Sequence, residues 1–342
     1  MDTIQRFTVY GRQVVVYVPP SYSATEDRYP VAYVQDGGYL FTHCVNLLAH
    51  LVSQGKLAEL ILIGIKPHQR NDEYTPWMAD ALREGNSSFG GKGRTYVDEV
   101  ADVLKPYIDE RFRTKRDASH TAMIGGSLGG LISLFAGYWR PDTFGRIGLL
   151  SASLWNEGVM EYIMEQGPPA KHLRVFMSVG SCEGIHKQNM QKEMVHYNKQ
   201  VRSLWLEQGF PGEQLRFVLE EGGTHDAYYM IKQFPAALQW LFPPEREPAS
   251  AVAPVWPATA KYAIPGTRQF AMRAKNTGRE YRIFVSVPDT PAPPEGYPIL
   301  YVLDGNASFG SLTEAMRLQA RGPHGIEQAV IVATVTIPRN RL

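Results

Sequence analysis

Short apolar runs, each closed by a turn, alternate with longer amphipathic stretches over most of the chain. Val14-Val15-Val16-Tyr17-Val18 stops at Pro19-Pro20, and Val31-Ala32-Tyr33-Val34 stops at Asp36-Gly37-Gly38. Leu60 to Ile65, Thr121 to Ile124, Arg146 to Leu150, Arg174 to Val179 and Leu215 to Leu219 repeat the pattern. Apolar runs of this length bounded by turns predict buried parallel strands. Between them, Tyr96 to Phe112 places Val97, Val100, Val103, Leu104, Tyr107 and Ile108 on one side, which predicts a helix. Leu131 to Trp139, Asn189 to Gln208 and Asp226 to Leu241 are further helix candidates. This alternation predicts an α/β fold, a mostly parallel sheet with helices on both faces.

The pattern breaks at Pro243. Residues 243–265 begin Pro243-Pro244-Glu245-Arg246-Glu247-Pro248, combine Pro, Ala and charge without a period, and read as a linker. Beyond it the chain repeats its own beginning. Tyr281 to Pro288 parallels Arg12 to Pro19, Tyr297 to Gly305 parallels Tyr29 to Gly37, and Gln328 to Thr334 stands where Leu60 to Lys66 stood. Matches in order and nearly in register read as an internal duplication. The expected organisation is a domain over 1–242, a linker over 243–265, and a partial repeat over 266–342 that stops before the later elements. Three strands and one helix do not close a doubly wound core. The partial repeat is therefore expected to pack on the first unit, to pair with another chain by self-association, or to stay poorly ordered.

Composition narrows the class. A chain of 342 residues exceeds what one core usually serves. Its 44% hydrophobic and 20% charged residues are ordinary for a globular protein. A formal net charge of +1 gives no basic footprint for nucleic acid. No run of about 18 apolar residues occurs, so no membrane span is expected. Met1 to Tyr10 lacks the basic start and apolar run of a secretion signal, which makes the cytoplasm the expected location. Cys44 and Cys182 make no metal-ligand spacing, and free thiols are expected over a disulfide.

The strongest chemical signal is Gly125-Gly126-Ser127-Leu128-Gly129-Gly130. It follows a predicted strand and opens a predicted helix, the setting of a nucleophile elbow. A sharp turn there lifts the serine hydroxyl into a site, and side chains at Gly125 or Gly129 would collide with the neighbouring strand or helix. The bland alternative is a Gly-rich turn that binds phosphate. A serine needs a base, which in this topology follows the last strand, with the acid between nucleophile and base. His225, in Glu221-Gly222-Gly223-Thr224-His225-Asp226, stands there. His172 precedes a strand at the wrong end of the sheet, His196 falls in a polar helix, and His186 is the one serious rival base, though its position suits a substrate contact better. The strand Arg174 to Val179 runs into Gly180-Ser181-Cys182-Glu183-Gly184, whose carboxylate is Glu183. Asp226 is the alternative acid. An oxyanion hole needs two donors. The amide of Leu128 is one expected donor, and that of Gly38, favoured over Gly37, is the other.

At these residues a family resemblance emerges. Tyr33-Val34-Gln35-Asp36-Gly37, Arg70-Asn71-Asp72-Glu73-Tyr74-Thr75-Pro76-Trp77, Gly125 to Gly130, Arg140-Pro141-Asp142-Thr143-Phe144-Gly145 and Gly223-Thr224-His225 resemble the putative esterase family. That family includes esterase D, the mycolyl-transferring antigen 85 proteins and the trilactone siderophore esterases. The resemblance spans about residues 6 to 242 and implies the α/β-hydrolase fold and serine hydrolase chemistry. The segment Tyr281 to Asn306 also looks like the N-terminal region of enzymes that open enterobactin-type and salmochelin-type trilactones, which implies a role in iron release. Gln35 departs from the frequent Leu before Asp-Gly, and the second copy lacks the catalytic part.

Candidate substrate contacts follow. The loop His68 to Tyr74 is polar and follows a strand end; Arg70 pairs either with an anionic group of the substrate or with a carboxylate of its own loop. Tyr74, Trp77, Phe89, Tyr96 and Trp155 supply aromatic surface for aryl groups or for the core. His186 suits a substrate contact, while Lys92 and Arg94 read as a solvated loop. The expected activity is hydrolysis of a small-molecule carboxylic ester through an acyl-enzyme, on a siderophore trilactone or a related ester. No metal or organic cofactor is required. The alternatives are a general carboxylesterase or thioesterase, acting on S-formylglutathione or acyl sugars, and a non-catalytic binding protein on a hydrolase fold.

Overall fold

The computed structural model describes residues 4–244, 264–320 and 325–336. They fall into two compact units, one within 1–247 and one within 248–342. Most of the expected linker, 245–263, lies outside the described residues.

The strands of the first unit are β1 (Ile4–Val9), β2 (Arg12–Tyr17), β3 (Val31–Val34), β4 (Ile61–Ile65), β5 (Met78–Ala79), β6 (Phe89–Gly90), β7 (Thr121–Gly126), β8 (Arg146–Leu150), β9 (Arg174–Gly180) and β10 (Leu215–Glu220). All but the small β5-β6 ribbon form an 8-stranded sheet in the order β1-β2-β4-β3-β7-β8-β9-β10. From β4 to β10 every pairing is parallel. The run around Val14 corrects the parallel expectation, because β2 is antiparallel to both β1 and β4.

Alternate strand residues feed two separate cores. Val31 and Tyr33 join the cluster on one face, Ala32 and Val34 the cluster on the other. Both faces are covered, which is why these strands read as unbroken apolar runs. One face is closed by α1 (Tyr39–Thr42), α2 (Val45–Ser53) and, late in the chain, Ala227–Leu241, which supply Leu40, Phe41, Leu48, Phe234 and Leu238. The loop after β4 carries the single turn α3 (Arg70–Glu73). On the opposite face lie α4 (Gly93–Glu99), α5 (Lys105–Arg111), α6 (Leu128–Trp139), α7 (Val159–Gln166) and α8 (Met194–Glu207); the late helix Ala227–Leu241 is α9. Between α4 and α5, Val100–Leu104 forms a π-helical turn. Pro106, two residues beyond its end, has no N–H to continue the ordinary ladder.

Buried Arg12 ties the first strands to the loop after β4. Its guanidinium is 2% exposed and donates to both oxygens of Glu99 (2.9 and 2.7 Å), to Glu73 (2.8 Å) and to the Lys66 carbonyl (3.2 Å). Glu73 closes α3, so this ion pair fixes the turn that carries Arg70.

The second unit comprises β11 (Thr267–Arg273), β12 (Glu280–Ser286), β13 (Ile299–Leu303), α10 (Gly305–Gln319) and β14 (Val330–Thr336). Its 4-stranded sheet runs β11-β12-β14-β13. The first two pairings are antiparallel and the last parallel, the same order and sense as β1-β2-β4-β3. Its buried cluster is small, centred on Phe309, Ile331 and Ala333.

Removing Arg12 would leave Glu73 and Glu99 without their shared cation. Arg12→Ala is expected to lower the unfolding free energy by about 3 kcal/mol in urea denaturation. A change below about 0.5 kcal/mol would show that the cluster does not hold the loop.

Candidate active site

The C-terminal ends of the parallel strands converge on Ser127, between β7 and α6. Its backbone sits at φ 58°, ψ −122°, a region that costs a residue with a Cβ about 1–3 kcal/mol. Three hydrogen bonds hold it there. The Ser127 N–H donates to the Leu150 carbonyl (3.0 Å), and its carbonyl accepts from Leu131 (3.0 Å) and Ser153 (3.1 Å). The two glycines of the motif are required by contact. A Cβ on Gly125 would lie 2.4 Å from the Gly129 carbonyl, and one on Gly129 would lie 2.9 Å from Cβ of Gln35.

His225 enters from the loop after β10, with Nε2 3.0 Å from the Ser127 Oγ. Its Nδ1 lies 2.6 Å from Oε2 of Glu183, in the loop after β9. The Glu183 side chain is fully buried, and Oε1 accepts from the Ser151 hydroxyl (2.5 Å) and the Gly180 N–H (2.7 Å). These two donors hold the carboxylate in one orientation. The loops that carry Glu183 and His225 are stitched together: Cys182 N–H donates to the Gly223 carbonyl (2.8 Å), and Gly222 N–H to the Ser181 Oγ (2.8 Å). Gly180 and Gly223 touch so closely that a Cβ on Gly180 would lie 2.4 Å from the Gly223 carbonyl. The alternative acid, Asp226, is occupied by the Thr224 hydroxyl on the exposed side of the loop.

Leu128 is the first residue of α6, so its amide has no intrahelical partner and sits at the positive end of the helix. The Gly38 amide corrects the expectation of a second free donor. It donates to the Gln35 carbonyl at 3.0 Å and closes a turn in which Asp36, Gly37 and Gly38 all have positive φ. On the other side of the elbow, Tyr39 donates to the Met230 sulfur (3.3 Å). Burial, then the Asp36 charge, pushes the Tyr39 phenol up to about 12, so it stays neutral beside the site.

A cleft of about 430 Å³ opens over Ser127, lined also by Arg70, Leu82, Asn86, Phe89, Leu128, Trp155 and Gln191. Arg70 and Trp155 are thus at the site. Arg70 is held by Asp36 through Nε (2.7 Å) and Nη2 (3.0 Å), so its charge is matched within the protein. The other candidates do not reach the cleft. Tyr74 is completely buried, and its hydroxyl accepts the Asp36 N–H at 2.9 Å; it supports the loop from behind. Trp77 packs on Phe135 and Tyr162 and donates its indole N–H to the Glu157 carbonyl (2.6 Å). His186 is exposed in the loop beyond Glu183 and lines neither this cleft nor the cavity beside it. Tyr96 is buried, and Lys92 and Arg94 pair with Asp72 and Asp98. Cys44 and Cys182 are free thiols.

Ser151 and Ser153 were not foreseen as site residues. Ser153 Oγ lies 3.2 Å from the Ser127 Oγ, and the Ser151 hydroxyl donates to Glu183. The signal is their place just after β8, the neighbour of the strand that ends at Ser127, in Ser151-Ala152-Ser153. Among the described residues no cluster of three His, Cys, Asp or Glu could hold a metal ion, and no helix is long and apolar enough to cross a membrane.

The family model described as "Putative esterase" matches residues 10–241. The chain belongs to the putative esterase family. It is an enzyme of the ester hydrolase class. It is similar to the "Uncharacterized protein YbbA" of Bacillus subtilis, 43% identical over 232 residues, covering 68% of this chain and 93% of that one. It is also similar to the "Ferri-bacillibactin esterase BesA" of the same organism, 51% identical over 73 residues, 21% of this chain and 25% of BesA. The crystal structure of the BES protein from Bacillus cereus shares the fold, with a TM-score of 0.58 at 20% identity over 71% of this chain and 97% of that one.

Strain at Ser127 gives a test of this esterase's turn. Ser127→Gly is expected to be more stable than Ser127→Ala by about 1 kcal/mol in chemical denaturation, because glycine accepts a positive φ freely. An alanine variant as stable as the glycine variant would mean that the turn is unstrained.

Proposed function

We propose that this esterase works through an acyl-enzyme on Ser127, with His225 as base and Glu183 as the acid that orients it. The hydrogen-bonded line from Ser127 Oγ through both nitrogens of His225 to Glu183 carries this reading. His225 takes the serine proton as the hydroxyl attacks the ester carbonyl. The Leu128 amide faces the developing oxyanion at the start of α6. His225 then protonates the leaving alcohol, and water, deprotonated by the same imidazole, releases the acid. Glu183 remains ionised and stabilises the imidazolium.

The substrate we infer is an aryl-bearing ester of the siderophore trilactone kind. Support comes from Phe89 and Trp155 in the cleft wall, from membership in the esterase family, and from similarity to a relative named as a ferri-bacillibactin esterase.

Ser127→Ala and His225→Ala are each expected to lower p-nitrophenyl acetate turnover by at least about 10³-fold, and Glu183→Gln by about 10³-fold, with native circular dichroism. Turnover surviving in Ser127→Ala would remove the acyl-enzyme. Incubation with a catecholate trilactone, followed by mass spectrometry, is expected to give linear ester and monomer. An intact trilactone beside active acetate hydrolysis would leave a general carboxylesterase.

A further inference from the structure

Two hydroxyls stand at the two ends of the line from Ser127 through His225 to Glu183, and both come from one short segment after β8. Ser151 donates to Oε1 of Glu183 (2.5 Å), and the Ser153 Oγ lies 3.2 Å from the Ser127 Oγ. Ser151 is held at φ 49°, a left-handed conformation unfavourable for a residue with a Cβ. Its surroundings impose that turn. The Ser151 N–H donates to the Ser178 carbonyl on β9 (2.7 Å), buried Asn198 on α8 donates to the Ala152 carbonyl (3.0 Å), and the Ser153 N–H donates to the Ser127 carbonyl (3.1 Å). Ala152 packs so tightly on α6 that a Cβ on Gly130 would lie 3.0 Å from it. The strain is thus held from three sides, and its result is the aim of the two hydroxyls.

The direction of the Ser153 bond follows from the protons available. A carboxylate only accepts, so the His225 nitrogen facing Glu183, Nδ1, carries the proton of the neutral ring. Nε2 is then an acceptor, and the single proton of Ser127 points to it (3.0 Å). The Ser127 Oγ has only lone pairs left to offer Ser153, so Ser153 is the donor. Ser153 is fully buried, and among the described residues its hydroxyl has no hydrogen-bond partner other than Ser127. Buried hydroxyls in folded proteins are nearly always paired, and this one is paired with the single oxygen whose charge changes when the serine reacts. At 3.2 Å the bond is longer than the about 2.7–2.8 Å common for two hydroxyls, which leaves it room to tighten.

We propose that Ser153 is a further catalytic residue, a donor that stabilises negative charge on the Ser127 Oγ as its bond to the substrate carbon forms and again as that bond breaks. The inference rests on the reading of Ser127 as nucleophile and His225 as base. In the first half-reaction the Ser127 O–H bond breaks, its proton passes to Nε2, and an Oγ electron pair bonds the carbonyl carbon; the alcohol then leaves with that proton. In the second, a water oxygen bonds the same carbon and gives a proton to Nε2, the carbon–Oγ bond breaks, and the Oγ takes the proton back. Ser153 keeps its own proton throughout. In both steps the Oγ passes through an alkoxide-like state, which accepts a hydrogen bond more strongly than a hydroxyl or an ester oxygen does. A donor weakly engaged at rest and strongly engaged in that passage lowers the barrier more than the ground state. The Leu128 amide serves the carbonyl oxygen, and Ser153 serves the attacking one.

The test is the kinetics of p-nitrophenyl acetate hydrolysis by the full chain carrying Ser153→Ala. There kcat/KM follows acylation, and kcat follows the slower half-reaction. Both are expected to fall about 30-fold, with KM unchanged within about twofold, because the same oxygen is served in each step. The acid limb of the kcat/KM pH profile, which reports the base, is expected to stay in place, since neither His225 nor Glu183 loses a partner. Ser153→Cys keeps the shape with a poor donor and is expected to be slowed as the alanine variant is, which separates hydrogen bonding from packing even where Ser153→Ala folds badly. A fall of less than about threefold in Ser153→Ala, a cysteine variant as active as the wild type, or an acid limb moved by more than about half a pH unit would overturn the proposal. Ser127→Ala keeps the two readings apart. Undiminished turnover there defeats the nucleophile reading, whereas turnover lost there beside an unslowed Ser153→Ala sinks this inference alone.

Discussion

The site depends on one backbone constraint, a non-glycine residue held at positive φ where β7 turns into α6. That geometry is unfavourable on its own, so the surroundings must impose it. They do so with hydrogen bonds from β8 and from the loop after it, and with contacts too close for any side chain at Gly125 or Gly129. Gln35 is part of this clamp. It is fully buried, its N–H bonds the Ile124 carbonyl (3.0 Å), and its side chain lies against both glycines. The Gln at this position thus has a place in the fold: its amide oxygen accepts the Tyr96 hydroxyl, and Tyr96 packs on Tyr74 behind the Asp36 loop. Loop, elbow and helix α4 are braced as one body.

The elements that could be read from sequence are those whose composition is forced by contact. Gly125, Gly129, Gly180 and Gly223 stand where backbones meet, so the turn at Ser127 and the two loops that carry Glu183 and His225 announce themselves. Parallel strands then bring Ser127, Glu183 and His225 to one sheet edge, because successive C-terminal ends share that edge. What stayed hidden was direction. Tyr74 and Trp155 look alike as aromatic residues near polar loops, yet one is a completely buried brace and the other walls the cleft. The Gly38 amide looked free, but a local turn consumes it. Strand β1 mixes Gln5, Arg6 and Thr8 with apolar residues, as an edge strand does, and gave no buried-strand pattern. Helices α1 and α2 span only 4 and 9 residues, too few turns for their period to stand out from a loop.

The second unit shows how much of this fold its first strands can build. Strands β11 to β14 pair in the order and sense of β1 to β4. In the first unit, however, β3 pairs on both sides, with β4 and β7, and the sheet buries two extensive clusters. In the second, β13 pairs with β14 alone among the described residues, and the buried cluster rests on Phe309, Ile331 and Ala333. Burial scales steeply with the number of layers that can be closed. The strand that ends at Ser127 in the first unit is therefore also the strand that completes its core, so the geometry of the site and the stability of the fold come from the same pairing.

Charge has the same local character. A net charge of +1 over 342 residues says little about any one surface. Around the cleft, the guanidinium that invites an anion is spent on Asp36, while carboxylates gather beside Trp155 and Phe89. An arginine held in a bidentate ion pair offers an anion less net charge than an unmatched one. Asp36 matches that of Arg70 in a bidentate pair, and Tyr74 and Tyr96 hold the pair from beneath. The guanidinium thus braces the turn at Asp36, and its place in the cleft wall does not by itself make it an anion receptor.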